Sequence, residues 1–495
     1  MARETLTFGP FRLDRRAHRL FRAGEPVALS AHLVDLLLVL TARPGELLTK
    51  QALFDAAWPD VFVTDNALAR AVADLRRALG DDPRHPRFIQ TVARRGYRFV
   101  ADVVTEIDAD GAAPPGRADG YEELRSFVAS VADLERLRVD RLAETRARLE
   151  RAALTLPDYA PVHVALASAW TLTHESTRAL ARPDRGAAER GVRCARRACE
   201  LDPGLAEAWA TLAFALTSAG QADEARAAAR QAVRLEPGGW RHHFRLALAA
   251  WGEERLRAVQ RTLALLPGFP YACFLGATVL VARDRLEPAG AMIREGLDRS
   301  RAGESDERLP AAGLHWLSGA LASVDPASYP AALDEFALEV AGHAPDRLYS
   351  TEFVVNARHW RSALLVRLGQ VDEALDDLRA ALVLAPDHAR SLTALAALLE
   401  RAGSRSEASA IRAREAATLA ALVEMGRAGE AALAEATRAA IARDDAATEA
   451  AVARLLDHAT SDQTGWTLPI EPWLQHLRGT SAFDTLLRRL AQRAA

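Results

Sequence analysis

The sequence predicts a mainly α chain in which a small N-terminal α+β domain is followed by an all-α body of repeated helix pairs. Three observations lead there. Over the first hundred residues the hydrophobic period changes from two to about 3.6 and back to two. Beyond residue 203, Gly, Ala and Pro recur at a spacing of 34 residues, Pro203 to Pro237 being the clearest interval. The composition, 49% hydrophobic but 6% aromatic over 495 residues, supplies alanine for close helix contacts rather than bulk for large cores.

Charge and cysteine content narrow the function classes. The formal charge is −3, yet residues 1–104 carry 16 Lys and Arg against 12 Asp and Glu, and the rest of the chain 47 against 54. A basic head on an acidic body suggests that the head is the part that meets a polyanion. No stretch approaches ~18 consecutive apolar residues, and MARETLTFGPF lacks a signal-peptide core, so no membrane partner and a cytoplasmic location are expected. Cys194 and Cys199 are five apart on a helical stretch and Cys273 is alone, which gives neither a disulfide framework nor a metal site; no cofactor is expected.

Leu6, Phe8, Phe11 and Leu13 alternate around a Gly9-Pro10 turn, and Arg19–Arg22 and Glu25–Ala28 flank a turn at Gly24, so the chain opens on short strands. The period then becomes helical: Ser30 caps a run through Leu33, Leu36, Leu37 and Leu40, which Pro44-Gly45 stops. Thr49 caps a second helix that ends near Trp58-Pro59, and Thr64 or Asp65 starts a third with the stripe Leu68, Val72, Leu75, Leu79, ended by Gly80. Arg87–Val92 and Tyr97–Val100 alternate like a hairpin around Arg94-Arg95-Gly96.

LLTKQALFDAAWPD at 47–60, VTDNALARAVADLRRALGDD at 63–82 and RFIQTVARRGYRFV at 87–100, in that order, resemble the OmpR/PhoB-type winged helix of bacterial response regulators, and the last two resemble most its ToxR/CadC-like branch. The resemblance covers about residues 4–103 and implies a winged helix-turn-helix domain that binds double-stranded DNA. In that branch the domain stands at the N-terminus without a receiver, so a one-component regulator without phosphorelay control is expected.

DADGAAPPGRADG at 108–120 has five Gly or Pro and almost no apolar residue, and reads as a flexible linker over 105–120 with a reach on the order of 20 Å. Between Pro203 and Pro237 lie Trp209, Leu212, Ala213, Leu216, Gly220, Ala225 and Ala232, the spacing of a tetratricopeptide repeat. The frame returns with Gly369, Ala374, Ala381 and Pro386, and again with Leu392, Leu395, Ala396, Gly403 and Ala408. Alanines at the crossing points let two helix backbones approach closely. Weaker copies, among them one with 12 extra residues around Glu175–Gly186, bring the expectation to seven or eight helix pairs over 121–458, stacked as a tetratricopeptide superhelix. Residues 459–495 read as a capping segment, its amphipathic part at 471–490 covering the last apolar face. The fold class is thus an α+β winged helix (1–104) followed by an all-α superhelix.

The third helix is the one that enters the major groove, since its apolar stripe faces inward and leaves polar side chains outward. Laid on the family motif, the contact positions of this helix fall on Asn66, Ala67, Arg70, Ala73, Asp74 and Arg76, with Asn66 and Arg70 as base readers and Arg76 as a phosphate clamp, while Ala73 and Asp74 stand where basic residues are common; Arg77, outward on the same helix, is a further candidate for DNA contact. Arg76 and Arg77 are open to a second reading, as cations favouring the helix dipole. Arg94 and Arg95 at the hairpin tip suit the minor groove or flanking phosphates, and Thr91 and Tyr97 match backbone-contacting positions of the family. Lys50, the chain's single lysine, and Trp58 are further phosphate donors, with Trp58 equally readable as a core anchor.

On the repeat body the groove faces include Glu207, Phe214, Asn356, His359 and Arg367; of these Phe214, Asn356 and Arg367 are the candidate contacts for a protein or peptide partner, and a scaffold or homodimer surface is an equal reading. No phosphate loop, Gly-x-Ser-x-Gly, His-Glu-x-x-His or paired-cysteine spacing occurs, so no enzyme is expected. The sequence reads as a DNA-binding transcriptional regulator with an interaction or sensor body; the alternative is an interaction scaffold whose winged helix does not bind DNA specifically.

Overall fold

The computed structural model describes residues 4–14, 19–27, 29, 31–49, 52–53, 65–92, 95–107, 127, 129–131, 133–134, 137–301, 313–458 and 463–495. The chain forms two compact units, residues 1–135 with 147–165, and residues 136–146 with 166–495.

In the first unit the strands β1 (Glu4–Phe8), β2 (Phe11–Asp14), β3 (Arg19–Arg22) and β4 (Glu25–Val27) form successive antiparallel pairs, Leu6 opposite Leu13 and Leu13 opposite Leu20. Helix α1 (Ala31–Ala42), strand β5 (Leu47–Thr49), helix α2 (Asp65–Leu79), strands β6 (Ile89–Val92) and β7 (Gly96–Phe99), and strand β8 (Val104–Ile107) follow. The sheets run β4-β3-β2-β1-β8 and β5-β7-β6. Two of these strands escaped the sequence reading. β5 is three residues long, and β8 lies where the linker was expected to begin: Thr105, Glu106 and Ile107 pair with Leu6, Thr5 and Glu4. The edge of β1 that faces away from β2 is open to pairing, and the chain leaving the hairpin fills it. The remainder of the expected linker, 108–120, lies outside the described residues.

Phe8, Phe11, Phe88 and Phe99 meet at ring separations of 5.2 to 6.4 Å and pack on Leu36, Leu37, Leu40, Leu68 and Leu75. At about 1.5–3 kcal/mol for each large side chain buried, this one layer holds both sheets and both helices in one body. Thr49 accepts a hydrogen bond from the Ala52 amide at 3.1 Å, the cap expected for the second helix. The rest of that helix, with Lys50 and Trp58, and the Ser30 cap lie outside the described residues.

The body starts with α3 (Leu142–Thr155) and continues as α4 and α5 (Ala160–Glu175, Arg185–Leu201), α6 and α7 (Ala206–Ser218, Ala222–Leu235), α8 and α9 (Trp240–Ala249, Gly252–Leu265), and α10 and α11 (Pro270–Ala282, Leu286–Arg301). It goes on as α12 and α13 (Leu314–Ala322, Tyr329–Ala341), α14 and α15 (Ser350–Arg367, Val371–Leu384), α16 and α17 (Ala389–Arg401, Arg405–Glu424), and α18 and α19 (Ala428–Ala442, Asp445–Asp457), with α20 (Ser481–Arg493) last. Ala213, Ala225, Ala232, Ala374 and Ala381 are fully buried at the crossings, and Gly220, Gly369 and Gly403 turn each pair with φ between +76° and +81°.

In the second unit the inserted residues between α4 and α5 have a structural task. Arg178 donates two hydrogen bonds to Glu352, at 3.0 and 3.1 Å; the Ala181 amide donates to Asp387 at 2.7 Å; and Arg427 donates to the Leu180 carbonyl at 2.5 Å. The amides of Val139 and Leu348 bond across to Asp346 and Leu137. The first pair is thereby tied to the sixth and later ones.

The tail also does more than cap. Leu468, Trp473, Leu474, Leu477, Phe483, Leu487 and Leu490 pack with Leu392 to Leu399 and with Val279 and Ala282, while Ile470 packs with Leu314 and Trp316. Its apolar face therefore covers middle pairs as well as the last one.

Candidate nucleic-acid interface and the inner face of the repeats

Helix α2 ends in a left-handed glycine cap: Gly80 has φ +62°, and the Asp81 amide reaches back to the Arg76 carbonyl at 2.9 Å. The turn this makes puts the Asp81 carboxylate under the next strand, where it accepts from the amides of Arg87 (2.7 Å), Phe88 (3.3 Å) and Ile89 (2.8 Å). Arg76 adds a second strut, donating from Nη2 to the Ile89 carbonyl at 2.7 Å and to the Thr91 hydroxyl at 2.8 Å. Helix α2 and the wing hairpin β6–β7 are thus fixed to each other by side chains of the helix end itself.

The expected contact residues divide accordingly. Arg76 is turned toward the wing, so its first role is positioning, and Thr91 is exposed with its oxygen engaged by that arginine. Arg77 is exposed and pairs at 2.7 Å with Asp74, so the acid that breaks the family pattern is neutralised one turn away. Arg95 is exposed at the hairpin turn, its amide bonded to the Val92 carbonyl at 3.0 Å. Tyr97 is buried in the core opposite Thr91 and Leu48, with 8% of its surface exposed, which makes the ring a packing residue first. Asn66 and Arg70 lie within α2 by backbone, and their side chains fall outside the described residues, as does Arg94.

Two features of this junction lie outside the residues that the motifs single out: Asp81, and the constraint at Gly96, where an added Cβ would stand 2.0 Å from the Leu48 carbonyl oxygen. The signal for Asp81 was present as an acid directly after the glycine that ends a helix.

The body residues expected to share one groove are not brought together. Phe214 lies on α6 beneath Arg245, whose guanidinium sits 3.9 Å from its ring centre. Asn356 and Arg367 are on one face of α14 but eleven residues apart, about 16 Å along the axis. Arg367 donates instead to the Tyr329 hydroxyl at 2.8 Å and to the Pro472 carbonyl of the chain's own tail. His359, expected on the groove, is fully buried between Ser391 and Trp473, and burial holds its pKa well below the usual histidine value. Among the described residues no group of three His, Cys, Asp or Glu is placed to hold a metal ion, and no helix is long and apolar enough to cross a membrane.

Residues 24–99 match the family described as transcriptional regulatory protein, C terminal, and residues 206–238 match the tetratricopeptide repeat. The chain is 28% identical over 112 residues to the transcriptional activator CadC of Escherichia coli (strain K12), 22% of each protein. It is 35% identical over 82 residues to the cholera toxin homolog transcriptional activator of Vibrio parahaemolyticus, 16% of this chain and 28% of that one. The matches therefore span about a quarter or less of these relatives' length. Among solved structures, the DNA-binding domain of E. coli CadC aligns at 26% identity over 21% of this chain and all of that one, with a TM-score of 0.20.

Proposed function

We propose that this chain, which carries an OmpR/PhoB-type winged helix joined to tetratricopeptide repeats, is a DNA-binding transcriptional regulator. Its head reads double-stranded DNA with Asn66 and Arg70 of α2 and holds phosphate with Arg77, Arg94, Arg95 and Lys50, while Arg76 sets the angle between helix and wing. The observation that carries this reading is the rigid coupling of α2 to the hairpin by Arg76 and Asp81, which leaves Arg77 and Arg95 exposed. A helix and a wing held at a fixed angle by several such bonds form a preorganised reader, one that enters a groove without ordering itself first. The body supplies the protein contact, to a partner or to a second copy of the chain, that brings heads to neighbouring half-sites and raises affinity by effective concentration.

The test is DNA binding by the full chain across a salt series. Affinity falls steeply with salt, and Arg94→Ala with Arg95→Ala flattens the slope by about 0.9 for each phosphate that the variant no longer neutralises. A flat slope for the parent chain assigns the protein to the interaction scaffolds instead.

A further inference from the structure

The helix pairs end at Asp457, and the segment that follows them is of a different kind. Residues 468–477 form two short helical turns, Leu468–Ile470 and Pro472–Leu477, whose shape is held from within. The Leu474 amide donates to the Glu471 carbonyl at 3.0 Å, and the Gln475 side chain donates to the carbonyls of Glu471 and Pro469 at 3.1 and 3.2 Å. This self-supporting segment lies on α10, α14 and α18, which are first helices of their pairs and so belong to the concave side of a tetratricopeptide stack. Its hold on the body is polar at one point and aromatic at the next. The Glu471 carboxylate, fully buried, accepts from Arg390 in the first turn of α16, and the Pro472 carbonyl accepts from Arg367 in the last turn of α14. The Trp473 ring stands 6.5 Å from that of His359, and the Arg390 guanidinium lies 5.8 Å from the centre of the Trp360 ring.

Two features separate this seam from ordinary core. A buried Arg–Glu pair adds little net stability over apolar groups of the same volume, so its service is selection: it admits one segment in one register. Among the described residues, the indole nitrogens of Trp473 and Trp360 and Nε2 of His359 are buried with no hydrogen-bond partner, and each lowers the net gain from docking. A compact segment anchored by one carboxylate, one carbonyl and one indole, selected by charge and held below full strength, sits as a peptide ligand sits in a groove.

We propose that Arg367 and Arg390, with the aromatic floor at His359 and Trp360, form the peptide-binding groove of the body, and that residues 468–477 occupy it in cis as an autoinhibitory ligand. The partner is a protein segment of the same chemistry: a carboxylate directly before a proline, then an indole and an aliphatic side chain. On binding it takes over the two arginines, and the tail leaves the groove. The proposal rests on the reading of the body as the protein-contact half of a regulator; its test uses no DNA, so either can fail alone.

The test is a fluorescence-anisotropy titration of the full chain into a labelled peptide of residues 467–478, TLPIEPWLQHLR. The parent binds it on the order of a hundredfold more weakly than the double variant Glu471→Ala with Trp473→Ala, because a cis occupant competes at millimolar effective concentration. Adding Arg390→Met to the double variant abolishes binding. The single variant Glu471→Gln in the full chain, whose tail loses one charge-assisted bond, gains about tenfold in peptide affinity over the parent. Equal binding by parent and double variant, no saturable binding by a double variant that melts cooperatively, or binding indifferent to Arg390→Met each overturns the proposal. Where the double variant does not melt cooperatively the single variant decides, and no gain in its affinity overturns the proposal. Loss of cooperative melting in both assigns residues 468–477 to the permanent core, with the same result. A concentration-dependent dimer of the parent that excess peptide dissociates gives the groove to the tail of a second copy and overturns the partner assignment.

Discussion

Asp81 offers a test of how the head is held together. Its carboxylate, 7% exposed, is the acceptor for three successive amides that begin the wing strand, two of them at 2.7 and 2.8 Å and one at 3.3 Å. A hydrogen bond to a charged acceptor contributes about 1.5–3 kcal/mol, and a buried amide left alone costs about 1–3 kcal/mol. Asp81→Ala strips all three, and with the long bond counted as weak the expected loss is roughly 3–5 kcal/mol. Asp81→Asn keeps one oxygen for Arg87 and Phe88 but turns an NH₂ toward the Ile89 amide, for an expected loss of about 1–2 kcal/mol. A domain of this size is stable by about 5–15 kcal/mol, and each kcal/mol moves its midpoint by about 4–8 °C, so the two variants separate clearly. Calorimetric melting of the full chain resolves the head from the repeat body, and the body's transition stays in place in both variants. Equal losses for Asn and Ala, or a loss below about 1 kcal/mol in Ala, would refute the three-amide argument, because the acceptor count would then not matter.

Three further outcomes follow from the same kind of reasoning. Gly96→Ala pushes a methyl against the Leu48 carbonyl, prising β5 from β7; the head's urea midpoint falls by the equivalent of about 1–3 kcal/mol while the body's stays put. Arg178→Met leaves Glu175 buried without its cation; with Arg178 itself 40% exposed and partly screened, the loss is about 1–3 kcal/mol, read as at least tenfold faster amide exchange at Val139 and Leu348. His359 and His388 are held neutral by burial next to Arg390, the second with a pKa of about 3. Both folded values lie below the unfolded 6.5, so their contribution is complete above that pH and lost as pH falls through it. The body loses about 2–3 kcal/mol between pH 7 and pH 5.5, and His359→Gln with His388→Gln removes most of that slope in acid unfolding curves.

What the sequence revealed was whatever repeats or alternates. The strand pairs, the Leu68, Val72, Leu75 stripe of α2 and the crossing alanines of the repeats all stand where the periodicity put them, because each is a local consequence of burying one face. What stayed hidden was non-local pairing. β8 has no pattern that separates it from the start of a linker, since what makes it a strand is the free edge of β1. The partner of Arg367 is a carbonyl 105 residues away, and that of Arg178 a carboxylate 174 residues away. For the candidate site, residue types and faces were legible, but the engagement of Arg76 with the wing needed the fold. The 12-residue excess in one repeat was legible as length without a task.

The closing contacts of the body divide the work between apolar and charged groups. Alanine-rich pairs bury little area each, so extra stability has to come from surfaces beyond nearest neighbours, and the tail supplies it with Trp473, Leu474, Phe483 and Leu490. Apolar packing alone does not select a register, because leucines at several offsets fill such a face about equally well. The charged groups do. Glu471 is completely buried and pairs with Arg390, and the neighbouring Pro472 carbonyl takes Arg367. Shifting the tail by one residue would bury the Glu471 carboxylate against apolar side chains and leave Arg390 without its carboxylate and Arg367 with the Tyr329 hydroxyl alone, at several kcal/mol. Several of the remaining Arg–Glu pairs on the repeats, such as Arg196–Glu224, are exposed on both sides and worth little. The buried Arg390–Glu471 pair lies where segments 81 residues apart meet, and there a wrong register has a cost that hydrophobic contact cannot repay.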